Sequence, residues 1–202
     1  MNDAARRQEF LVLMQRLEAE PAHVLHVAEL ALCLFDRLAP LHCLEASDRL
    51  LLEAAACLHD TGWSVARDGK AHHKESARLI RAHPWQHWSA GEVGLVAQVA
   101  RYHRKSMPSA EHEEFTALNE AEQHRVRHLA ALLRLGDALD RSHTQRIRRI
   151  EVEILPDTIR LTLASARPLD AELESAQRKG DLAKLLWRRS LLFERIRLPQ
   201  PA

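Results

Sequence analysis

Adjacent imidazole and carboxylate side chains at the end of an apolar run give this chain its first chemical signal. His59-Asp60 closes the stretch Leu50–Leu58 and is followed at once by Thr61-Gly62. Burying both groups at a helix end is costly unless something binds them, and a divalent metal is the usual solution. Other residues of the same chemistry lie on neighbouring predicted elements. His26 sits in a run that is apolar nearly all round (Val24, Leu25, Val27, Leu30, Leu32, Leu34, Phe35), so it faces protein whichever way it points. Asp137 falls on the stripe Val126, Leu129, Ala130, Leu133 and is directed into the same interior, with Arg134 and Arg141 as its alternative ion-pair partners. His103 ends another predicted helix in Arg101-Tyr102-His103-Arg104-Lys105, and His72-His73 open the helix after Gly69-Lys70.

This inventory mixes nitrogen and oxygen donors. It suits manganese, iron, nickel, cobalt or magnesium better than a structural zinc, which favours thiolates. The other histidines among the 13, His23 and His143 included, read as packing or surface residues. The choice between His72 and His73 stays open at this level. The cysteines Cys33, Cys43 and Cys57 are scattered and read as packing residues.

The elements that must position these groups are mostly helices. Leu, Ala, Arg and Glu are abundant and only six glycines occur in 202 residues. Periodicity predicts helices at about Ala4–Ala19, Ala22–Leu38, Ser47–His59, His73–His83, Ala90–His103 and Glu120–Arg141. After Arg149 the pattern changes to a period of two over Ile150–Leu155 and Ile159–Leu163, joined by the turn Pro156-Asp157-Thr158. A helix over Ala171–Trp187 and a third strand over Leu192–Leu198 complete a small β-β-α-β unit. The expected fold is therefore mainly α, a helical bundle over residues 1–145 with a small α+β appendage over residues 146–202.

With 29 basic and 28 acidic residues, the net charge of +1 provides no global pull toward nucleic acid or an anionic membrane. Trp63, Trp85, Trp88 and Tyr102 are not interleaved with basic residues as a stacking platform would require, which disfavours nucleic acid as a partner. No apolar run approaches the ~20 residues of a membrane helix, and the residues around Arg6, Arg7 and Glu9 do not read as a secretory signal, so a cytoplasmic protein is expected. The hairpin strand Ile159–Leu163 has the look of an exposed edge and makes a homodimer the expected assembly.

The order His26, His59-Asp60, a later histidine, then Asp137 resembles the HD superfamily of helical metal-dependent phosphohydrolases. Arg101–Lys105, Leu132–His143 and Arg178-Lys179-Gly180-Asp181-Leu182 narrow the resemblance to the C-terminal HD-type region of the exopolyphosphatase / guanosine pentaphosphate phosphatase (Ppx/GppA) family, over about His23 to Trp187. The resemblance implies an HD-domain helical bundle. It implies metal ligation by His26, His59, Asp60 and Asp137 for one ion, with His72 or His73 and His103 joining for a second. Family members normally carry two actin-like domains ahead of this region, and those hold the polyphosphate or pentaphosphate hydrolysis site. Barely twenty residues precede the HD-like part here, so exopolyphosphatase activity is not expected to carry over.

Such a site would lower the pKa of a water and neutralise phosphoryl charge. Asp60 is the residue expected to orient or deprotonate that water. Arg104, Lys105 and Arg141 stand close to the candidate ligands and suit phosphate oxygens, and Arg146, Arg148 and Arg149 follow shortly after. The expected function is a phosphohydrolase acting on a nucleotide or another small phosphorylated compound. The alternative is a non-catalytic module that binds polyphosphate or (p)ppGpp, or works with a separate partner chain.

Overall fold

The computed structural model describes residues 2–66 and 70–199. The helices are α1 (Asp3–Leu17), α2 (Pro21–Arg37), the single turn α3 (Ala39–His42), α4 (Asp48–Leu58), α5 (His72–Ala82), α6 (Ala90–Arg101), the single turn α7 (Glu113–Thr116) and α8 (Glu120–Ala138). A 3₁₀ turn over Thr61–Ser64 follows α4. Strands β1 (Arg149–Ile154) and β2 (Thr158–Ser165), helices α9 (Asp170–Lys179) and α10 (Asp181–Trp187), and strand β3 (Ser190–Arg197) complete the chain.

Local sequence accounts for the helix starts. Pro21 opens α2, where its missing N–H costs nothing. Ser89 and Glu92 form a reciprocal capping box on α6, as Asn119 and Glu122 do on α8. Central α2 packs against α4 and α8, and α6 packs against α4, α5 and α8. This arrangement brings the ends of α4, α6 and α8 and the start of α2 to one side of the bundle. Among the described residues no helix is long and apolar enough to cross a membrane.

The sheet has the order β1-β2-β3, with β1 antiparallel and β3 parallel to β2. Ile150, Ile159, Leu161, Leu163 and Leu191 turn inward and join the helices in one contiguous apolar cluster. Two sequence expectations change here. Strand β2 is the middle strand, so Ile159–Leu163 is no free edge; β3 covers it after the crossover through α9 and α10, because a parallel pairing needs a long connection. The expected helix Ala171–Trp187 is broken at Gly180, where a Cβ would lie 2.5 Å from Leu191 Cδ1 and 2.9 Å from the Ala176 carbonyl oxygen.

Gly62 is the other position where backbone approaches closely. Its N–H donates to Ser76 Oγ (2.9 Å), and the Ser76 hydroxyl donates to the His59 carbonyl (2.6 Å), so α5 is riveted to the end of α4. A Cβ at position 62 would fall 2.0 Å from the His72 carbonyl oxygen, a contact only backbone movement could relieve. Gly62→Ala is therefore expected to destabilise the protein by about 2–3 kcal/mol. Thermal unfolding would show a midpoint lowered by roughly 5–10 °C, and an unchanged midpoint would contradict this packing.

Candidate metal centre

Three imidazoles on different elements share one wiring scheme. His59, at the end of α4 and fully buried, donates Nδ1–H to the Ala56 carbonyl at 2.7 Å. His103, just beyond α6, donates Nδ1–H to the Ala100 carbonyl at 2.7 Å. Helix C-termini leave such carbonyls unpaired, and each histidine three residues on uses one. His23, in the first turn of α2, directs Nδ1 to Asp140 Oδ2 at 2.9 Å, and buried Asp140 is held in turn by the Gln145 backbone N–H at 2.8 Å. With Nδ1 committed, the Nε2 lone pair of each ring points inward. This is how proteins preset an imidazole for a metal.

The carboxylates lie between these rings. Asp60 Oδ1 is 3.2 Å from His72 Nε2 and 3.5 Å from His103 Nε2, and Oδ2 is 3.6 Å from His59 Nε2. Asp137 Oδ1 is 3.8 Å from His23 Nε2. Three overlapping sets have all their ligand atoms within 4.8 Å of one another: His23, His59 and Asp60; His59, His103 and Asp137; Asp60, His72 and His103. Nε2 of His23 and of His59 is buried without a hydrogen-bond partner. Orphaned lone pairs facing ionised carboxylates are what a bound cation would satisfy, so these residues fit a divalent ion.

The local field agrees with that fit. Burial pushes the Asp60 carboxyl upward, but His59, the contact from His72 and nearby His103 outweigh it and hold the group well below the carboxylate range. For Asp137 burial is again opposed, chiefly by Lys179 and then by His59 and His103, and the result is again a lowered pKa. Burial drives the His103 imidazole well below its usual value, with His59 adding to the effect. Both carboxylates are thus anionic and His103 is neutral near pH 7, the forms in which they coordinate metals.

His23, Asp60, His72, His103 and Asp137 line the floor of a cavity of about 870 Å³, with His59 buried behind them. Arg104, Lys105, Arg141, Arg178 and Lys179 stand on its walls. Trp63, half-exposed at the rim, stacks on His72 with ring centroids 4.1 Å apart. Buried Arg134 braces the far wall: it makes a bidentate pair with Asp181 (2.8 and 3.0 Å) and donates to the Tyr102 carbonyl (3.2 Å), tying α8 to α10 and to the end of α6. Lys179 Nζ pairs with Asp137 Oδ2. Asp137 therefore takes its cation from α9 and not from Arg134 or Arg141.

His59, Asp60, His72, His103 and Asp137 come together, while two other candidates lie apart. His26 is three residues along α2 from His23, belongs to none of the ligand sets and has Nδ1 3.4 Å from Glu29 Oε2. His73 lines a separate, smaller cavity. There burial, and then His72, Lys105, Arg104 and Lys74, push it down to about 4. Arg104, Lys105 and Arg141 all line the main cavity. The sequence reading passed over His23, Asp140 and Lys179. Asp140 sits three residues after Asp137, a spacing that places a second carboxylate on the same side and could have drawn attention to a histidine partner.

Over residues 5–184 the chain matches the family described as Ppx/GppA phosphatase, domain III, and it belongs to that family. No curated protein matches the chain.

The geometry separates the two α2 histidines. His23→Ala is expected to weaken manganese binding by about tenfold or more, as loss of a ligand or its support does, and His26→Ala by no more than about twofold. Calorimetric titration of the two folded variants checks this, and equal losses would contradict the placement of His23.

Proposed function

We propose that this domain is a metal-dependent phosphohydrolase for a nucleotide or another small phosphorylated compound. The observation that supports it best is the convergence of preset imidazoles and anionic carboxylates at the floor of a cation-walled cavity. His23, His59, Asp60 and Asp137 would hold the first ion, and His72 and His103, facing Asp60 from the other side, would complete a second position. A bound divalent ion would supply Lewis-acid activation of water and neutralise charge on the phosphoryl group.

The residues of the chain do the remaining work. Asp60 accepts a hydrogen bond from the attacking water and aligns it, since a carboxylate held anionic is a good acceptor. His72 and His103 fix the Asp60 carboxylate from one side, and His59 from the other. Arg104, Lys105, Arg141 and Arg178 receive phosphate oxygens, with guanidinium forks matching the oxygen spacing. Arg134 is a positioning residue: through Asp181 it keeps α10, and so the adjacent Lys179, against the site. The cavity volume lies within the ~300–1,000 Å³ of small-molecule sites, which admits a nucleotide.

One observation favours a second reading. Lys179 already neutralises Asp137, as expected of a non-catalytic module that binds polyphosphate or (p)ppGpp through its basic walls. Turnover separates the two. With manganese supplied and a panel of phosphorylated substrates, the hydrolase reading predicts rates of roughly 1 per second or faster. It also predicts a loss of about a hundredfold or more in Asp60→Ala with the fold preserved. A folded Asp60→Ala protein with unchanged turnover would contradict it.

A further inference from the structure

Beside the main cavity lies a second one of about 120 Å³, on the other side of Arg104. Its walls come from the start of α5 (His73, Lys74), the end of α6 (Arg101, Tyr102) and the following loop (Arg104, Ser106, His112). Three permanent cations, Lys74, Arg101 and Arg104, meet there, and among the described residues no carboxylate lines the space. Glu114, outside the lining, approaches Arg101 at 3.5 Å but also pairs with Arg81 at 3.0 Å. Cations crowded around a small space repel one another unless an anion enters.

A second feature is independent of charge. His73 is more than nine-tenths buried, lines this space, and its Nδ1 has no hydrogen-bond partner. Such a group costs free energy until a ligand satisfies it. Around it stand further donors. The Ser106 hydroxyl is one, and the Tyr102–His112 pair (Oη to Nδ1, 2.9 Å) keeps another, on His112 Nε2 if the tyrosine donates or on the Tyr102 hydroxyl if the histidine does.

The size of the space selects the ligand. At ~30 Å³ per water it holds about four waters. That suits one tetrahedral oxyanion of five heavy atoms. Arg104 joins this space to the main one: it lines both cavities, and its Nη1 stands 3.2 Å from Nε2 and 3.3 Å from Nδ1 of His72, hence over the ring face.

We propose that this smaller cavity binds a phosphoryl group through Lys74, Arg101, Arg104 and His73. The phosphoryl is either the distal end of a ligand that also occupies the main cavity or a free phosphate. Binding here needs no metal and no hydrolysis, so it can be tested apart from the hydrolase reading.

The test is a titration of the metal-free full chain with inorganic phosphate and with tripolyphosphate, followed by amide NMR shifts of Ser106 for the small cavity and Lys179 for the large one. Phosphate is expected to move the Ser106 amide with half-saturation near 1 mM, raised about tenfold in Lys74→Glu. Lys74 is exposed, so the substitution leaves the core intact, and Lys74→Gln should give a smaller shift in the same direction. If tripolyphosphate saturates Ser106 and Lys179 together and Lys74→Glu weakens both responses, the phosphoryl belongs to a chain spanning the two cavities. If Lys74→Glu alters only the Ser106 response, the cavity takes free phosphate. Absence of a saturable Ser106 shift with either probe, or a half-saturation unaffected by Lys74→Glu, would overturn the proposal.

Discussion

The commitment of Nδ1 on His23, His59 and His103 is the constraint on which the site depends. Each ring gives one nitrogen to an internal acceptor, the Asp140 carboxylate or the carbonyl of Ala56 or Ala100. What remains is a set of fixed Nε2 lone pairs in a volume that also contains Asp60 and Asp137. An interior of this kind is expensive without a bound cation, since desolvated lone pairs and anions face one another there, and Lys179 is the permanent cation paired directly with Asp137. The stabilisation a bound metal would give and the readiness of the ligands would then have one origin.

The helical architecture exists around that constraint. His59 and His103 work as they do because α4 and α6 end where they do, within two residues of the carbonyls their rings engage. Ser76 and Gly62 then fix the start of α5 against His59, which sets the position of His72. The C-terminal unit contributes as well. Its sheet joins the apolar core, while the α9–α10 joint at Gly180 delivers Lys179 to Asp137 and Asp181 to Arg134. Membership of the Ppx/GppA phosphatase domain III family covers both parts of this arrangement, from residue 5 to residue 184.

Much of this was legible in the sequence, for physical reasons that differ between elements. Helical periodicity located α1, α2, α4, α5, α6 and α8, because one buried face leaves a repeating trace, and strict alternation located β1 and β2. Strand order was not legible. Nothing in Ile159–Leu163 says that β3 will cover it, since parallel pairing across a crossover is a tertiary choice. Within the site, His59-Asp60 and Asp137 stood out because polar residues interrupt apolar stripes. His23 did not, because it lies at the very start of α2, before the apolar run that made His26 conspicuous. Lys179 pairs with Asp137 across 42 residues, a distance at which one-dimensional patterns carry no signal.

The central claim is that the buried histidines and aspartates form a metal site, and the most direct test is metal content coupled to stability. Untagged protein purified without chelator should contain one or two transition-metal ions per chain by elemental analysis. Stripping the ions and restoring manganese at about 100 times its dissociation constant should recover about 2.7 kcal/mol. For a chain of this size that is a rise of roughly 5–10 °C in the unfolding midpoint. Protein that holds no metal even after manganese or iron is supplied, and whose midpoint does not move, would contradict the account.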